Sequence, residues 1–303
     1  MSFKTKQYHL PRKVKAFQFL IKDLGYSMKE AQRLIDRKRL IVNGKPLLKK
    51  SASISGDVGV IQFVPNTQNL QPIFQTPDFA LFDKPSGVLI HPNNHATEYS
   101  LTHEIKYLFG PRANITHRID KETSGLVIVA KDRKSERQIK RAFEERKIKK
   151  GYLAFVKGYL DKPLFIDEPI LKNRDFSEVK LKVHIHADGK PSQTNIVPLQ
   201  YFPEQNITLV EALPLTGRQH QIRLHLFHVK HPIVGDPIYG VSTAVAADYL
   251  DGKLSEDERI KLTSASRLML HANWIDFSYA NRYKIYTKVD FASKINLCQK
   301  IPL

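Results

Sequence analysis

Cysteine is almost absent from this 303-residue chain, which has only Cys298. A single cysteine closes no internal disulfide, and near the end of the chain without adjacent His or Asp partners it is no catalytic thiol, so a reducing cytoplasm is expected. No stretch approaches the ~18 consecutive apolar residues of a membrane-spanning helix. The opening MSFKTKQYHLPRKVK has no apolar signal-peptide core, so a cytoplasmic protein without membrane contact is expected. Gly-x-Gly-x-x-Gly, Gly-x4-Gly-Lys-Ser/Thr and paired cysteines are all missing, which leaves no sign of a nicotinamide, nucleotide or zinc site. Ser124 lacks the Gly-x-Ser-x-Gly elbow of a serine hydrolase. The histidines at 220, 225, 228 and 231 come without a recognised metal-ligand spacing, so no metal and no cofactor is expected.

Acidic residues are also scarce: 30 stand against 48 Lys and Arg, a formal +18 that points to a polyanionic partner. The excess is local. Residues 1–64 hold 14 Lys and Arg against Asp23, Glu30, Asp36 and Asp57, a net +10, leaving +8 for the other 239 residues. In this segment Phe17, Leu20, Ile21 and Leu24 recur at helical spacing and stop at Gly25. Ser27 and Glu30 form a capping box for a second helix carrying Ala31, Leu34 and Ile35. A hairpin follows from Leu40 to Leu48, with Asn43-Gly44 at its turn. Arg33, Arg37, Lys38 and Arg39 lie beside it. Residues 65–77, with Pro65, Asn66, Asn69 and Pro72 and few periodic apolar positions, read as a linker to a larger domain over 78–303.

In that domain Phe79–Phe82 reads as a strand that resumes through Val88-Leu89-Ile90. Lys131–Lys150 reads as a solvated helix with Glu136–Lys140 and Glu145–Lys149 pairs, and Tyr152–Val156, Leu181–His186, Asn195–Val197 and Ile207–Glu211 as strands. Asp248–Lys261 reads as an exposed loop or helix. Strands dominate with helices scattered among them, so the class is α+β with a mixed, mainly antiparallel sheet. The most informative run is His117–Leu126, HRIDKETSGL, with the apolar Val127–Ala130 after it. It sets one carboxylate, Asp120, between a basic pair and a Thr-Ser-Gly turn ahead of a strand that can hold it rigidly, which makes Asp120 a candidate nucleophile. Glu122 lies too near in sequence to establish the carboxylate pair a glycosidase sets across a sugar.

HRIDKETSGL resembles the catalytic motif of the RluA-type RNA pseudouridine synthases, and Leu215–Leu226 and His231–Gly240 resemble the later signatures of that family. Lys84-Pro85-Ser86-Gly87 resembles its Lys-Pro-x-Gly segment, with Lys84 structural or phosphate-contacting, and Lys150–Gly158 its Lys-x-Tyr-x-Ala-x-Val-x-Gly pattern. The N-terminal layout resembles an S4 domain, a small α/β RNA-binding module. The resemblance implies a pseudouridine synthase fold with a central cleft. It implies Asp120 as the catalytic carboxylate, Arg223 as its ion-pairing partner and Tyr152 as the ring under the target base. Arg118 would fill the gap left by an extruded nucleotide, beside an architectural His117. Arg218, with Arg33, Arg37, Lys38 and Arg39 of the S4-like module, would contact RNA. Gln219 departs from the family's usual small hydroxyl residue, and Phe277–Asn281 lacks a common His-Pro. The implied partner is RNA, with large-subunit (23S) ribosomal RNA as the expected substrate. Transfer RNA is the alternative target, and a noncatalytic RNA-binding or assembly protein the alternative function. A monomer is expected.

Overall fold

The computed structural model describes residues 3–93, 97–172 and 183–301. They form two compact units: residues 1–68 with 91–107, and residues 69–90 with 108–303.

In the first unit, β1 (Phe3–Lys15), β2 (Leu40–Val42), β3 (Lys45–Pro46) and β4 (Ser53–Phe63) make an antiparallel sheet in the order β1-β4-β2-β3. Ile54, Val58 and Val60 from the sheet pack with Leu40 against Phe19, Leu20, Ala31 and Ile35 from the helical side. The segment after β1 is not a plain helix: a short α-turn, Ala16–Gln18, passes into a π-turn, Phe19–Asp23, before Gly25 at φ +73° ends it. Ser27 caps the helix Met28–Asp36 through a reciprocal bond with Glu30. Asn43 and Gly44 both take positive φ, as a two-residue hairpin demands. The helix Leu101–Phe109 contributes Leu101, His103 and Ile105 as buried residues of this unit.

The second unit is built on a sheet in which β5 (Phe74–Gln75), β6 (Phe79–Lys84), β8 (Ser124–Ala130), β9 (Lys149–Lys157), β10 (Leu164–Asp167), β13 (Gln193–Phe202), β14 (Ile207–Pro214) and β15 (Leu270–Tyr279) run in the order β10-β13-β14-β9-β15-β8-β6-β5. Two further strands pair at its side, β7 (Asn114–Ile115) with β8 and β16 (Asn281–Tyr286) with β15. A separate hairpin joins β11 (Ile170–Lys172) to β12 (Val183–Ile185). Among the described residues every pairing is antiparallel except β8 with β15, where His271 and Ala272 face Ser124 and Gly125. Gly125 is at φ +106°, and a Cβ there would lie 2.3 Å from the Ala272 carbonyl oxygen, so the crossing requires glycine. All seven residues of β8 are buried, which explains its unbroken apolar run.

The sheet is therefore mixed and mainly antiparallel, and the class is α+β. Several expected elements differ. Val88–Ile90 is not a strand, because Gly87 turns at φ +84° and the Val88 carbonyl is taken by the Lys84 ammonium. Residues 74–75, expected in a linker, add β5 to the sheet, and residues 91–107 group with the first unit. Asp248–Lys261 spans two helices, Thr243–Leu250 and Glu256–Thr263. The basic helix is Arg133–Glu144, capped by Asp132; Lys140 pairs with Glu136, but Glu145 pairs with Arg141 and Lys147, not with Lys149. Of the strand expected over Leu181–His186, residues 181–182 fall outside the described residues. No helix among the described residues is long and apolar enough to cross a membrane.

Candidate active site

A cavity of about 560 Å³ opens in the second unit between the loop 117–123, the strand β9 and the segment 214–223. Asp120, Tyr152 and Arg223 all line it. Asp120 leaves the loop just before β8, and its side chain is 23% exposed, covered yet reachable. Tyr152, near the start of β9, is buried against the same space.

Arg223 lies on the helix Gln221–His228 and is the most constrained cation of the site. Its Nη1 donates to Asp120 Oδ2 at 3.2 Å, while Nε and Nη2 form a two-pronged pair with Asp236 at 2.8 Å each. Asp236 Oδ1 also accepts the backbone N–H groups of Ile238 and Tyr239 at 2.8 and 3.0 Å. Burial would lower the pKa of Arg223, but Asp236 and Asp120 beside it hold it above its ordinary value. Burial would likewise raise that of Asp236, but Arg223 and the two N–H groups hold it below. The guanidinium is thus fixed at one end and offers its remaining prong to Asp120, a geometry that the point charge of a lysine cannot reproduce.

His220 precedes the helix at φ +52°. Its Nδ1 lies 3.1 Å from the Tyr239 hydroxyl and its Nε2 3.8 Å from Asp120 Oδ2. Burial, with Arg223 adding to it, pushes the ring down to about 4, so it is neutral at physiological pH. The Tyr239 hydroxyl also accepts from the Val183 N–H at 3.1 Å and donates to the Val183 carbonyl at 3.4 Å, which holds it beside the ring. Gln221 holds the preceding turn: its Oε1 accepts from the Thr216 hydroxyl and the Arg218 N–H, and its Nε2 donates to Gln193 O and the Thr194 hydroxyl.

The loop bearing Asp120 is tied from below. Lys84 is fully buried and its Nζ donates to the carbonyls of Pro85, Val88 and Lys121, using all three ammonium donors. Burial pushes Lys84 down to about 7, with Glu122 and Asp120 opposing; three carbonyl acceptors favour the charged form and occupy all its donors. Ser86 Oγ donates to Glu122 O, and Arg259 Nη2 pairs with Glu122 Oε2 at 2.6 Å. The second carboxylate of the motif is therefore committed to structure.

His117 lines the cavity and accepts the Ile128 N–H at Nε2, and burial pushes it down to about 3, so the ring is a neutral brace for the loop. Arg118 is exposed at the cavity, and Arg218 lines it while donating to Pro191 O. The cavity does not include the N-terminal cations: Arg33, Arg37 and Lys38 are exposed on the first unit, whereas the Arg39 guanidinium stacks on Phe3 at 4.1 Å and its Nε is buried without a partner. His225 and His231 are engaged by Thr194, Glu168 O and Lys157 O. Asp236, Tyr239 and Arg259 are the functional neighbours that sequence reasoning left without a role, while Lys84 is the structural anchor expected of it. The run Gly235-Asp236-Pro237 was the available signal for Asp236, an acid kept within an apolar stretch.

One carboxylate clamped by a buried arginine therefore shares a cavity with a tyrosine ring on a mixed, mainly antiparallel sheet, and the neighbouring Glu122 is taken up by Arg259. Residues 78–228 match the family described as RNA pseudouridylate synthase. The chain is 40% identical over 288 residues to an uncharacterized RNA pseudouridine synthase of Helicobacter pylori (strain J99 / ATCC 700824), covering 94% of this chain and 95% of that one. It is 36% identical over 176 residues to ribosomal large subunit pseudouridine synthase D of Nitrosomonas europaea, covering 56% of this chain and 50% of that protein. Among solved structures, human RNA pseudouridylate synthase domain containing 1 superposes with a TM-score of 0.59 at 26% identity, covering 74% of this chain and 86% of that one. The chain belongs to the RNA pseudouridine synthase family, and its reaction is the isomerisation of RNA uridine.

Proposed function

We propose that this synthase modifies discrete uridines of large-subunit ribosomal RNA, with Asp120 as the catalytic carboxylate. The reaction breaks the bond from N1 to C1′, turns the base, and joins C5 to C1′ with loss of the C5 proton. It is redox-neutral and needs no cofactor. The clamp from Asp236 through Arg223 to Asp120 carries the reading: the carboxylate stays oriented and charge-compensated when substrate covers it. Tyr152 provides the face on which the base stacks, worth roughly 1–3 kcal/mol in single-strand complexes. Burial, and then the nearby Asp120, push the Tyr152 phenol above its ordinary pKa, so it acts as a neutral ring and hydroxyl. Arg118, exposed at the cavity, occupies the place of an extruded nucleotide. Arg218 contacts the RNA backbone at the rim. Residues 1–64 act as an S4-like module whose Arg33, Arg37 and Lys38 follow phosphates and supply affinity without sequence readout. The ribosomal target is supported by the name of the Nitrosomonas relative and by the basic first unit.

The test incubates purified protein with unmodified transcripts of ribosomal and transfer RNA and maps pseudouridine at single-nucleotide resolution, with Asp120→Asn alongside. Conversion of large-subunit RNA by wild type only is expected. Conversion confined to transfer RNA would refute the target, and conversion by Asp120→Asn would refute the role of Asp120.

A further inference from the structure

Lys150 lines the same cavity as Asp120 and Tyr152, two residues before Tyr152 on β9 and therefore on the same face of the strand. It is half-buried, and among the described residues no carboxylate pairs with it. Its one close aromatic neighbour is Phe143, whose ring centre lies 5.9 Å from Nζ, at the outer limit of a useful cation–π contact. A desolvated ammonium without a counter-charge is costly, and burial accordingly lowers its pKa.

Phe143 and His117 line the cavity with Lys150, their rings 4.5 Å apart, and His117 feels the charge of Lys150. Across from it runs Gly217, whose backbone is outside the left-handed region and so does not itself require glycine. A Cβ at 217 would lie 3.5 Å from Lys150 Nζ, an ordinary contact, so the chain at Gly217 passes directly beside the ammonium.

We infer that Lys150 is a phosphate contact that seats the RNA strand beside the target nucleotide, its missing counter-ion being a phosphodiester of the substrate. This rests on the reading of the cavity as the uridine site. The RNA closes the charge balance on binding, so the ammonium adds to affinity where a protein carboxylate would have cancelled it.

The test uses the full chain and a synthetic RNA carrying the uridine that wild type converts. Affinity is measured across a salt series for wild type, Lys150→Met and Lys150→Arg, and repeated with single methylphosphonates at the phosphates flanking that uridine. Loss of one phosphate contact lowers the slope of log K against log salt by about 0.7 for a single strand, and affinity at low salt falls about tenfold. Lys150→Arg restores the slope. One methylphosphonate reproduces the loss in wild type and adds nothing to Lys150→Met. A Lys150→Met protein with the wild-type salt slope overturns the inference, and would mean that Lys150 only packs on Phe143. Conversion by Asp120→Asn on the same RNA would refute the site reading separately, without touching the slope.

Discussion

Replacing Asp236 by Asn separates the stability of the clamp from its catalytic use. Arg223 and Asp236 are almost wholly shielded, their side chains 3% and 1% exposed, and share two bonds of 2.8 Å. Removing one partner of such a pair costs about 3–5 kcal/mol. Asparagine keeps an oxygen for the N–H groups of Ile238 and Tyr239, and Arg223 keeps Asp120, so the low end, about 3 kcal/mol, is expected. At about 2–4 °C per kcal/mol for a unit of this size, Tm falls by about 6–12 °C. Conversion measured well below the new Tm falls about 100-fold, because a guanidinium no longer fixed at its far end lets Asp120 drift from its attack position. Asp120→Asn is the counterpart: it removes one 3.2 Å contact from a partly exposed residue while the Asp236 pair survives, so stability changes by about 1 kcal/mol or less as conversion is abolished. Differential scanning fluorimetry and single-turnover conversion read both quantities. An Asp236→Asn protein melting within about 2 °C of wild type and converting RNA normally would refute the clamp.

Stability should fall in mild acid. His117, His220 and His271 are pushed down by burial to about 3, about 4 and about 4, so below their unfolded value of about 6.5 the unfolded chain binds protons that the folded chain does not. Stability is full above about pH 6.5 and declines toward about pH 4, with denaturant titrations showing protons taken up on unfolding, His103 and His225 adding to the three; equal stability at pH 7 and 5 would exclude neutral buried rings. Gly151→Ala should cost about 1–3 kcal/mol, since a Cβ there would lie 2.2 Å from Trp274 Nε1, which donates to Glu211. Trp274 is the sole tryptophan, so its emission reports the shift directly, and unchanged emission with unchanged Tm would contradict the packing.

What was legible in the sequence was local or motif-borne. The Ser27 capping box and the Asn43-Gly44 turn depend on neighbouring residues, and both form. The resemblance pointed to Asp120, Tyr152 and Arg223, and the fold brings all three to one cavity. The second anchor of Arg223 was not legible, because it depends on the chain returning 13 residues later to present Asp236 beneath the helix. Residues 88–90 do not form the strand expected there, because apolar content alone does not reveal that a buried ammonium takes the Val88 carbonyl. Lys150 opens the Lys-x-Tyr pattern, but its surroundings were not legible, since its neighbours come from the helix Arg133–Glu144 and from the loop at Gly217.

The strand order has a consequence for how this protein is made. Asp120 precedes β8 and Tyr152 belongs to β9, yet between these strands lies β15, Leu270–Tyr279, which follows both in the chain. A ribosome that has finished β8 and β9 has still not supplied the strand that joins them, and the Ser124–His271 bond beside that join links residues 147 positions apart. Such pairings form late, after the entropy of closing a long loop has been overcome. The catalytic halves therefore wait for β15 to be joined, whereas the sheet β1-β4-β2-β3 draws all its strands from residues 3–63 and closes without any later segment.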